Sequence, residues 1–390
     1  MSYKYRIPIL ATEGCNRGRI INSRAFHQSR LSLAQFSPSV IHKKRVLDRG
    51  RIANFREKKA YDCDESLPPI HLLKIAHEAG VLSIEPEQVL MFLRRYQHSL
   101  NHRQSSNWQQ NLFKEFNITS LRTVTLIAAI LRRCKTKAQR SLARTLMLFA
   151  STKGDKIATF EIITSALRSN MIHNYQEVFT RLKIIANNEG DQQAMMLLGK
   201  VLFYAYQSDT EALSWLQKAN YPPTGNHMFD GAGESLVLEG RILQKTGDIQ
   251  SAKIAFEKAA KELDEPEAYF YLSQIQENGS LIQQNYLLKA ATAGITEAWY
   301  NLGVIELKKI MKNNPNIEKL GDFGIAREWF LVAAFDGNGP SMLNLAIMCK
   351  MIGDWTQAFE WLGKAKTIPS VSAESKKLLQ EWKEVGDTKP

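Results

Sequence analysis

The sequence predicts an all-α fold, a helix-turn-helix repeat solenoid. Three observations predict it. Beyond Pro69 apolar residues recur at helical spacing, and no stretch alternates with the period of two that a half-buried strand requires. Gly, Asn and Pro punctuate the apolar runs at the intervals where helices end. From about residue 191 onward one pattern of small and large residues returns five times.

Seven helices are expected ahead of the repeats, over 70–79, 85–99, 107–115, 119–134, 137–151, 155–169 and 174–188. Gly80 stands where a C-terminal cap glycine belongs, and Pro86 suits a first helical turn. Leu121, Val124, Ala128 and Leu131 form one apolar stripe, and Leu142, Leu146 and Phe149 form another. The run Val124–Leu131 is too short for a bilayer, which needs about 20 apolar residues, so it reads as a buried helix.

In the repeats, the first helix carries a small residue followed four positions later by an apolar or acidic one. The instances are Ala194 with Leu198-Gly199, Ser235 with Glu239-Gly240, Ala268 with Leu272, Ala298 with Leu302-Gly303, and Ser341 with Leu345-Ala346. The second helix carries Ala, an aromatic and Ala: Ala212-Trp215-Ala219, Ala326-Trp329-Ala333 and Ala358-Trp361-Ala365. Two variants are Ala252-Phe256-Ala259 and Tyr286-Ala290. Gly247-Asp248, Gly321-Asp322 and Gly353-Asp354 read as the turns between helices. Small residues let two helices approach, and the aromatics are expected to fill the gap to the next pair. No pair covers its apolar face alone, so stacking is required.

These residues resemble the tetratricopeptide and Sel1-like repeat families, most closely at Glu297-Ala298-Trp299-Tyr300-Asn301-Leu302-Gly303. The resemblance covers about residues 191–368. The irregular spacing of the units looks more like Sel1-like repeats than strict tetratricopeptide units. It implies a superhelix whose first helices line a concave, protein-binding face. Asn301 and Asn344 occupy the same place in two consecutive first helices. In related repeat proteins an amide there bonds a bound peptide, so both are candidate partner-binding residues. A surface Asn shared by repeat ancestry is the plainer alternative. The Ser372–Trp382 stretch reads as a capping helix within a C-terminal segment of 369–390.

The formal net charge is +12, and its distribution matters more than its size. Residues 1–60 hold 14 Lys and Arg against 3 acids, and residues 91–183 hold 16 against 4. Residues 184–390 are acidic, with 20 against 26. Residues 1–33 are rich in Arg and Ser and poor in acids, the composition of a mitochondrial presequence. Arg24-Ala25-Phe26-His27-Gln28-Ser29 resembles a two-step mitochondrial processing pattern, especially a fungal one, with cuts after Ala25 and after Leu33. A basic tail that binds nucleic acid is the alternative. Residues 34–66 read as a disordered linker, and 67–190 as a basic helical domain of degenerate repeats.

Arg132, Arg133, Lys135, Lys137, Arg140 and Arg144 form an acid-free basic patch. Lys137, Arg140 and Arg144 share one helical face, opposite Leu142, Leu146 and Phe149. A solvated face, an anionic membrane contact and an RNA contact all fit this patch. The 119–148 stretch holds no aromatic residue, which speaks against stacking on single-stranded bases.

No phosphate loop, HExxH or GxSxG motif is present, so neither catalysis nor a cofactor is expected. Gly231-Ala232-Gly233 reads as a loop. His98 and His102 stand four apart without a third ligand nearby, and Cys15, Cys63, Cys134 and Cys349 form no CxxC pair. By analogy with mitochondrial repeat proteins, the sequence points to a non-catalytic scaffold or assembly factor on the matrix side of the inner membrane. It would hold a respiratory complex subunit, as in cytochrome c oxidase biogenesis, or its insertion machinery. The alternative is a mitochondrial ribosome- or mRNA-associated factor binding through 91–183.

Overall fold

The computed structural model describes residues 65–101, 108–223, 225, 228–314 and 316–386. The expected presequence and its cleavage residues (Arg24, Ala25, Phe26, Ser29 and Leu33) lie outside the described residues, as do 34–64 of the expected linker. Ser66, placed in that linker from the sequence, is buried, and its hydroxyl donates to Gln97 Oε1 at 2.6 Å.

The described residues contain 18 α-helices and no strand. They divide into two compact units between Trp215 and Leu216. The repeats expected from residue 191 therefore begin inside the first unit.

The first unit holds α1 (Ile70–Glu78), α2 (Pro86–Asn101), α3 (Trp108–Glu115), α4 (Leu121–Arg133), α5 (Lys137–Thr152), α6 (Lys156–Arg168), α7 (Gln176–Asn188) and α8 (Gln192–Tyr204). A 3₁₀ turn over Ile172–Tyr175 precedes α7. The helix expected over 174–188 thus opens as this tighter turn. Helix α9 (Asp209–Asn220) spans the division. Consecutive helices pack on each other: α4 on α5, α5 on α6, and α7 on α8. The predicted stripes form most of their buried faces. Val124, Ala128 and Leu131 of α4 are fully buried together with Ile127, while Leu121 is only partly buried, and Leu142, Leu146 and Phe149 of α5 are buried. Thr136 and Gln139 form a reciprocal capping box that starts α5, and Gln139 Nε2 also donates to the Leu67 carbonyl at 2.6 Å.

The second unit holds α10 (Ala232–Thr246), α11 (Ile249–Leu263), α12 (Pro266–Ile275), α13 (Leu281–Thr292), α14 (Thr296–Asn313), α15 (Gly324–Phe335), α16 (Gly339–Met351), α17 (Trp355–Lys366) and α18 (Ser372–Gly386). The pairs are α10–α11, α12–α13, α14–α15 and α16–α17, and each second helix also packs on the next first helix. Gly247 ends α10 with a positive φ of 92°, and Asp248 at once caps α11 by accepting from Ser251 N–H at 3.0 Å. Gly353-Asp354 repeats this before α17, with Asp354 accepting from Gln357 N–H at 3.0 Å. Gly321-Asp322 differs. It lies in a 3₁₀ turn, Leu320–Phe323, where Asp322 clasps the amides of Glu318 and Lys319. The longer loop after α14 explains the departure, because its backbone donors need a partner of their own.

The motif's tryptophans do not occupy the centre of the core, although Trp361 packs against it and meets Phe335 of the preceding second helix at 6.4 Å. Trp215, Trp329 and Trp361 are only partly buried. The fully buried position is the next one: Leu216, Phe330 and Leu362, joined by Phe256 and Leu287. Counted from the leading Ala at 100° per residue, positions 0, +4 and +7 lie within about 60° of one another, whereas +3 falls at the edge of that face. Position +4 meets the small residue of the first helix. A Cβ added at Gly240 would stand 2.5 Å from the Phe256 ring, and one at Gly303 would stand 2.7 Å from Phe330. In two of the three pairs whose second helix brings Leu, the corresponding first-helix residue is larger, Ser273 for Leu287 and Ala346 for Leu362, all four buried, whereas the Leu216 repeat keeps Gly199 at that position. The α18 helix packs on α17, with Trp382 buried edge-on to Trp355 at 6.1 Å.

Gly303→Ala therefore forces a methyl into a ring that cannot yield, at a cost of about 1–3 kcal/mol. Phe330→Leu alone opens a cavity. The double variant rebuilds the Ala346–Leu362 combination, so it is expected to be more stable than the sum of the single effects by on the order of 1 kcal/mol. Urea unfolding of the four chains measures this coupling, and strictly additive losses would refute the interlock.

Candidate functional site

One of the six residues of the expected basic patch is paired elsewhere. Arg132 pairs with Glu161 at 2.7 Å and belongs to the α4–α6 contact. Arg133, Lys135, Lys137, Arg140 and Arg144 form no ion pair within the described residues. All five are exposed. The capping box fixes the start of α5 and turns Lys137, Arg140 and Arg144 outward, because Leu142, Leu146 and Phe149 are committed to the core.

The sequence reading missed the aromatics beside this ridge. The Arg144 guanidinium lies over the Tyr175 ring, 5.1 Å from its centroid. His173, on the same 3₁₀ turn, meets Tyr206 edge-on at 5.7 Å. Tyr206 stacks on Phe179 at 5.5 Å and 18°, and Lys183 Nζ sits 4.7 Å from the Phe179 centroid. These rings come from 173–179 and 206, outside the basic run, so an inspection confined to 119–148 finds none. The signal was available as a cluster of aromatics at 173–179 and 203–206.

The two asparagines are not equivalent. Asn344 is buried, only 3% exposed, and its Nδ2 has no hydrogen-bond partner. It therefore does not present its amide on an open face, which corrects the expectation of a matched pair. Asn301 is partly buried and keeps some access to solvent. The registers coincide, but the packing around each first helix does not.

A buried polar network marks the α10–α11 pair. Glu239 occupies the fourth-after-small position that is apolar in the other repeats, and it is 3% exposed. Its Oε2 accepts from Asn220 Nδ2 at 2.6 Å. Burial pushes the Glu239 carboxyl above its ordinary 4.5, against the lowering effect of bonds from Asn220 and Gln217 and of the Lys258 charge. Tyr221 is pushed up to about 12, chiefly by burial and further by the charges of Glu239 and Glu262. Lys258 Nζ lies 4.6 Å from the Tyr221 ring centroid.

At the head of α10 an open cleft of about 500 Å³ is lined by Asp230, Glu234, Glu265 and Glu267. Burial raises the Glu265 carboxyl, and the neighbouring Glu267 and Glu234 add to the rise. Gly231-Ala232-Gly233, expected as a loop, is instead the start of this helix. Gly231 is its N-cap, and Gly233 leaves room for the Glu265 carboxylate.

His98 is exposed on α2, and His102 lies outside the described residues. Among the described residues no three His, Cys, Asp or Glu converge as a metal site would require. Cys134 and Cys349 are buried free thiols, and burial raises both. No helix among the described residues is long and apolar enough to cross a membrane.

No family model matches the sequence, and no curated protein does. The chain is an all-α helical-repeat protein. It is similar to a solved Sel1 repeat protein from Oxalobacter formigenes at 16% identity and a TM-score of 0.41, over 72% of this chain and 92% of that one. It is also similar to c5321, a protective antigen of uropathogenic Escherichia coli strains displaying an SLR fold. There the identity is 16% and the TM-score 0.30, over 74% of this chain and 70% of that one. The repeat assignment itself stands on the tandem helix pairs and their interlocks.

The Glu239 network predicts a pH dependence. The folded chain holds the Glu239 proton more tightly than the unfolded chain, so folding takes up a proton between pH 4.5 and the raised value. That contribution to stability is full below 4.5 and is lost as pH rises through the raised value. Glu239→Gln removes the slope and keeps an acceptor for Asn220. Its melting temperature at pH 7 should exceed that of the native chain by on the order of 1–3 °C. The gap should close as pH falls toward 4.5. A gap that widens in acid would contradict the buried-carboxylate account.

Proposed function

We propose that this protein is a non-catalytic scaffold that holds a partner polypeptide through its second unit. One observation carries the reading. The second helices of successive pairs expose large apolar side chains at heptad spacing. Leu281 and Leu288 share one face of α13, and Ile325 and Val332 share one face of α15, which ends at the 79% exposed Phe335. Apolar surface repeated along neighbouring elements is the usual mark of a protein-binding face. Asn301 adds a partly open amide on the first helix of the same pair as Ile325 and Val332.

The finer reading extends to place and task. The Arg-rich, acid-poor residues 1–33 support import into mitochondria, and the two-step processing pattern supports release of a chain beginning at Ala34. The absence of cysteine pairs from the sequence favours the matrix over the intermembrane space. A matrix scaffold peripheral to the inner membrane would suit the biogenesis of a respiratory complex such as cytochrome c oxidase. The unpaired cations of α5 favour a second reading, a ribosome- or mRNA-associated factor.

Affinity purification from isolated mitochondria, with and without nuclease, tests the two readings together. Nuclease-resistant protein partners are expected for the scaffold. Leu288→Asp combined with Val332→Asp should abolish their capture while leaving the melting temperature within about 1 °C, because both side chains are exposed. Retained capture would overturn the apolar face as the docking surface. N-terminal sequencing of the mitochondrial protein should read from Ala34, and an intact Met1 would overturn import by this presequence.

A further inference from the structure

We propose that the first unit carries a single-stranded nucleic-acid surface, in which Lys137, Arg140 and Arg144 hold phosphates while Tyr175 and Tyr206 offer platforms for unstacked bases. The proposal rests on the second reading above and assigns its residues and ligand chemistry.

Three features converge. The first is uncompensated charge. Residues 121–188 carry twelve Lys and Arg against three acids. Glu161 is consumed by Arg132, and Asp155 is consumed as the cap of α6, where it accepts from Ile157 N–H at 3.3 Å and from the Thr125 hydroxyl. Of the three acids in this stretch only Glu177 is left to offset the ridge. Lys137 and Arg144 lie seven residues apart on one face, so three cations line about 10 Å of helix.

The second feature is the aromatic supply. Arg144 lies over Tyr175, which holds the guanidinium plane against a ring. Both a guanidinium plane and an aromatic ring stack on splayed bases. Tyr206 is 39% exposed and is set by three contacts. Phe179 stacks on it, His173 meets it edge-on, and Gln176 Nε2 donates to its hydroxyl at 3.4 Å. A ring fixed in this way loses little conformational freedom when a base covers its open side.

The third feature is continuity. Tyr175, under Arg144, and His173, against Tyr206, sit two residues apart on one 3₁₀ turn. Phosphate-binding cations and base platforms are thereby joined by a single rigid element. The ridge does not suit a membrane as well, because an interfacial helix needs a free apolar face and that of α5 is buried. An acidic peptide would use the cations but would leave the rings idle.

Fluorescence anisotropy on the purified full-length chain tests the proposal. The probes are labelled oligouridine and oligothymidine of roughly fifteen nucleotides, a length within the site sizes of single-strand binders, and duplex RNA of equal length. Binding of one or both single strands in preference to duplex is expected, and the two probes separate RNA from DNA as the source. Substituting Lys137→Gln, Arg140→Gln and Arg144→Gln together should weaken binding at least tenfold and reduce the log–log salt slope by about 2. Tyr206→Leu should weaken binding about tenfold with the slope unchanged, and Tyr206→Trp should restore it. Circular dichroism of each variant reports folding, and the Trp variant keeps the ring test open if the Leu variant fails to fold.

Equal affinity for duplex, or cation-dependent binding that ignores the loss of the Tyr206 ring, would overturn the proposal and leave RNA association in general standing. No binding of any probe would overturn both. Sedimentation with cardiolipin-containing vesicles in place of nucleic acid would reassign the ridge to the membrane and likewise overturn the proposal.

Discussion

The second unit depends on one contact made within each helix pair. A residue with little or no side chain on the first helix receives a large buried side chain from the second. In the α10–α11 and α14–α15 pairs the fit is so close that a single added carbon would enter the ring of Phe256 or Phe330. That proximity sets the distance between the helices, and the Ala residues flanking the large residue let the same face lie flat. Gly-Asp links complete the pair, because a left-handed glycine ends one helix and the following carboxylate at once satisfies the amides of the next. Everything outside this contact is freer to vary, which accounts for repeat units of unequal length and for the clasped loop around Asp322.

Much of this was legible in the sequence. The helical period placed the helices to within about two residues, because burial against a neighbour imposes that period directly. The small residues of the first helices were legible for the same reason. The identity of the buried large residue was not. Trp at +3 looks like the core residue by size, yet helical geometry gives +4 the inward direction, and Leu216 and Leu362 take the place that Trp215 and Trp361 seemed to claim. Asn301 and Asn344 show a similar limit. Register is a property of the sequence, but exposure depends on what packs above each position, and only Asn344 is covered.

The candidate sites divide along the same line. Lys137, Arg140 and Arg144 could be placed together because one helix carries them. Arg132 was grouped with them by adjacency, but it faces Glu161 on another helix. Tyr175 reaches the ridge, and Tyr206 reaches the turn that carries Tyr175, only through the fold, since about 30 residues separate Tyr175 from Arg144 and Tyr206 from Phe179 and His173. The aromatic clusters at 173–179 and 203–206 are visible in the sequence, but which side chains they meet is not. Glu239 is the reverse case. A carboxylate in a position otherwise held by Leu was visible at once, but its acceptance of the Asn220 amide was not.

The matched sizes within each pair have a consequence for how the chain folds without error. Tandem repeats are prone to pairing a helix with the wrong neighbour, since all the partners look alike. Here they do not. The second helix of the α14–α15 pair brings Phe330, whose ring has no room beside a first helix bearing Ala346. The second helix of the α16–α17 pair brings Leu362, which would leave a hole beside Gly303. Each hairpin thus accepts its own partner and penalises its neighbour's. From α10 to α17 the glycine–phenylalanine pairs alternate with a serine–leucine and an alanine–leucine pair, which sets adjacent hairpins apart as mismatched keys against intrachain scrambling.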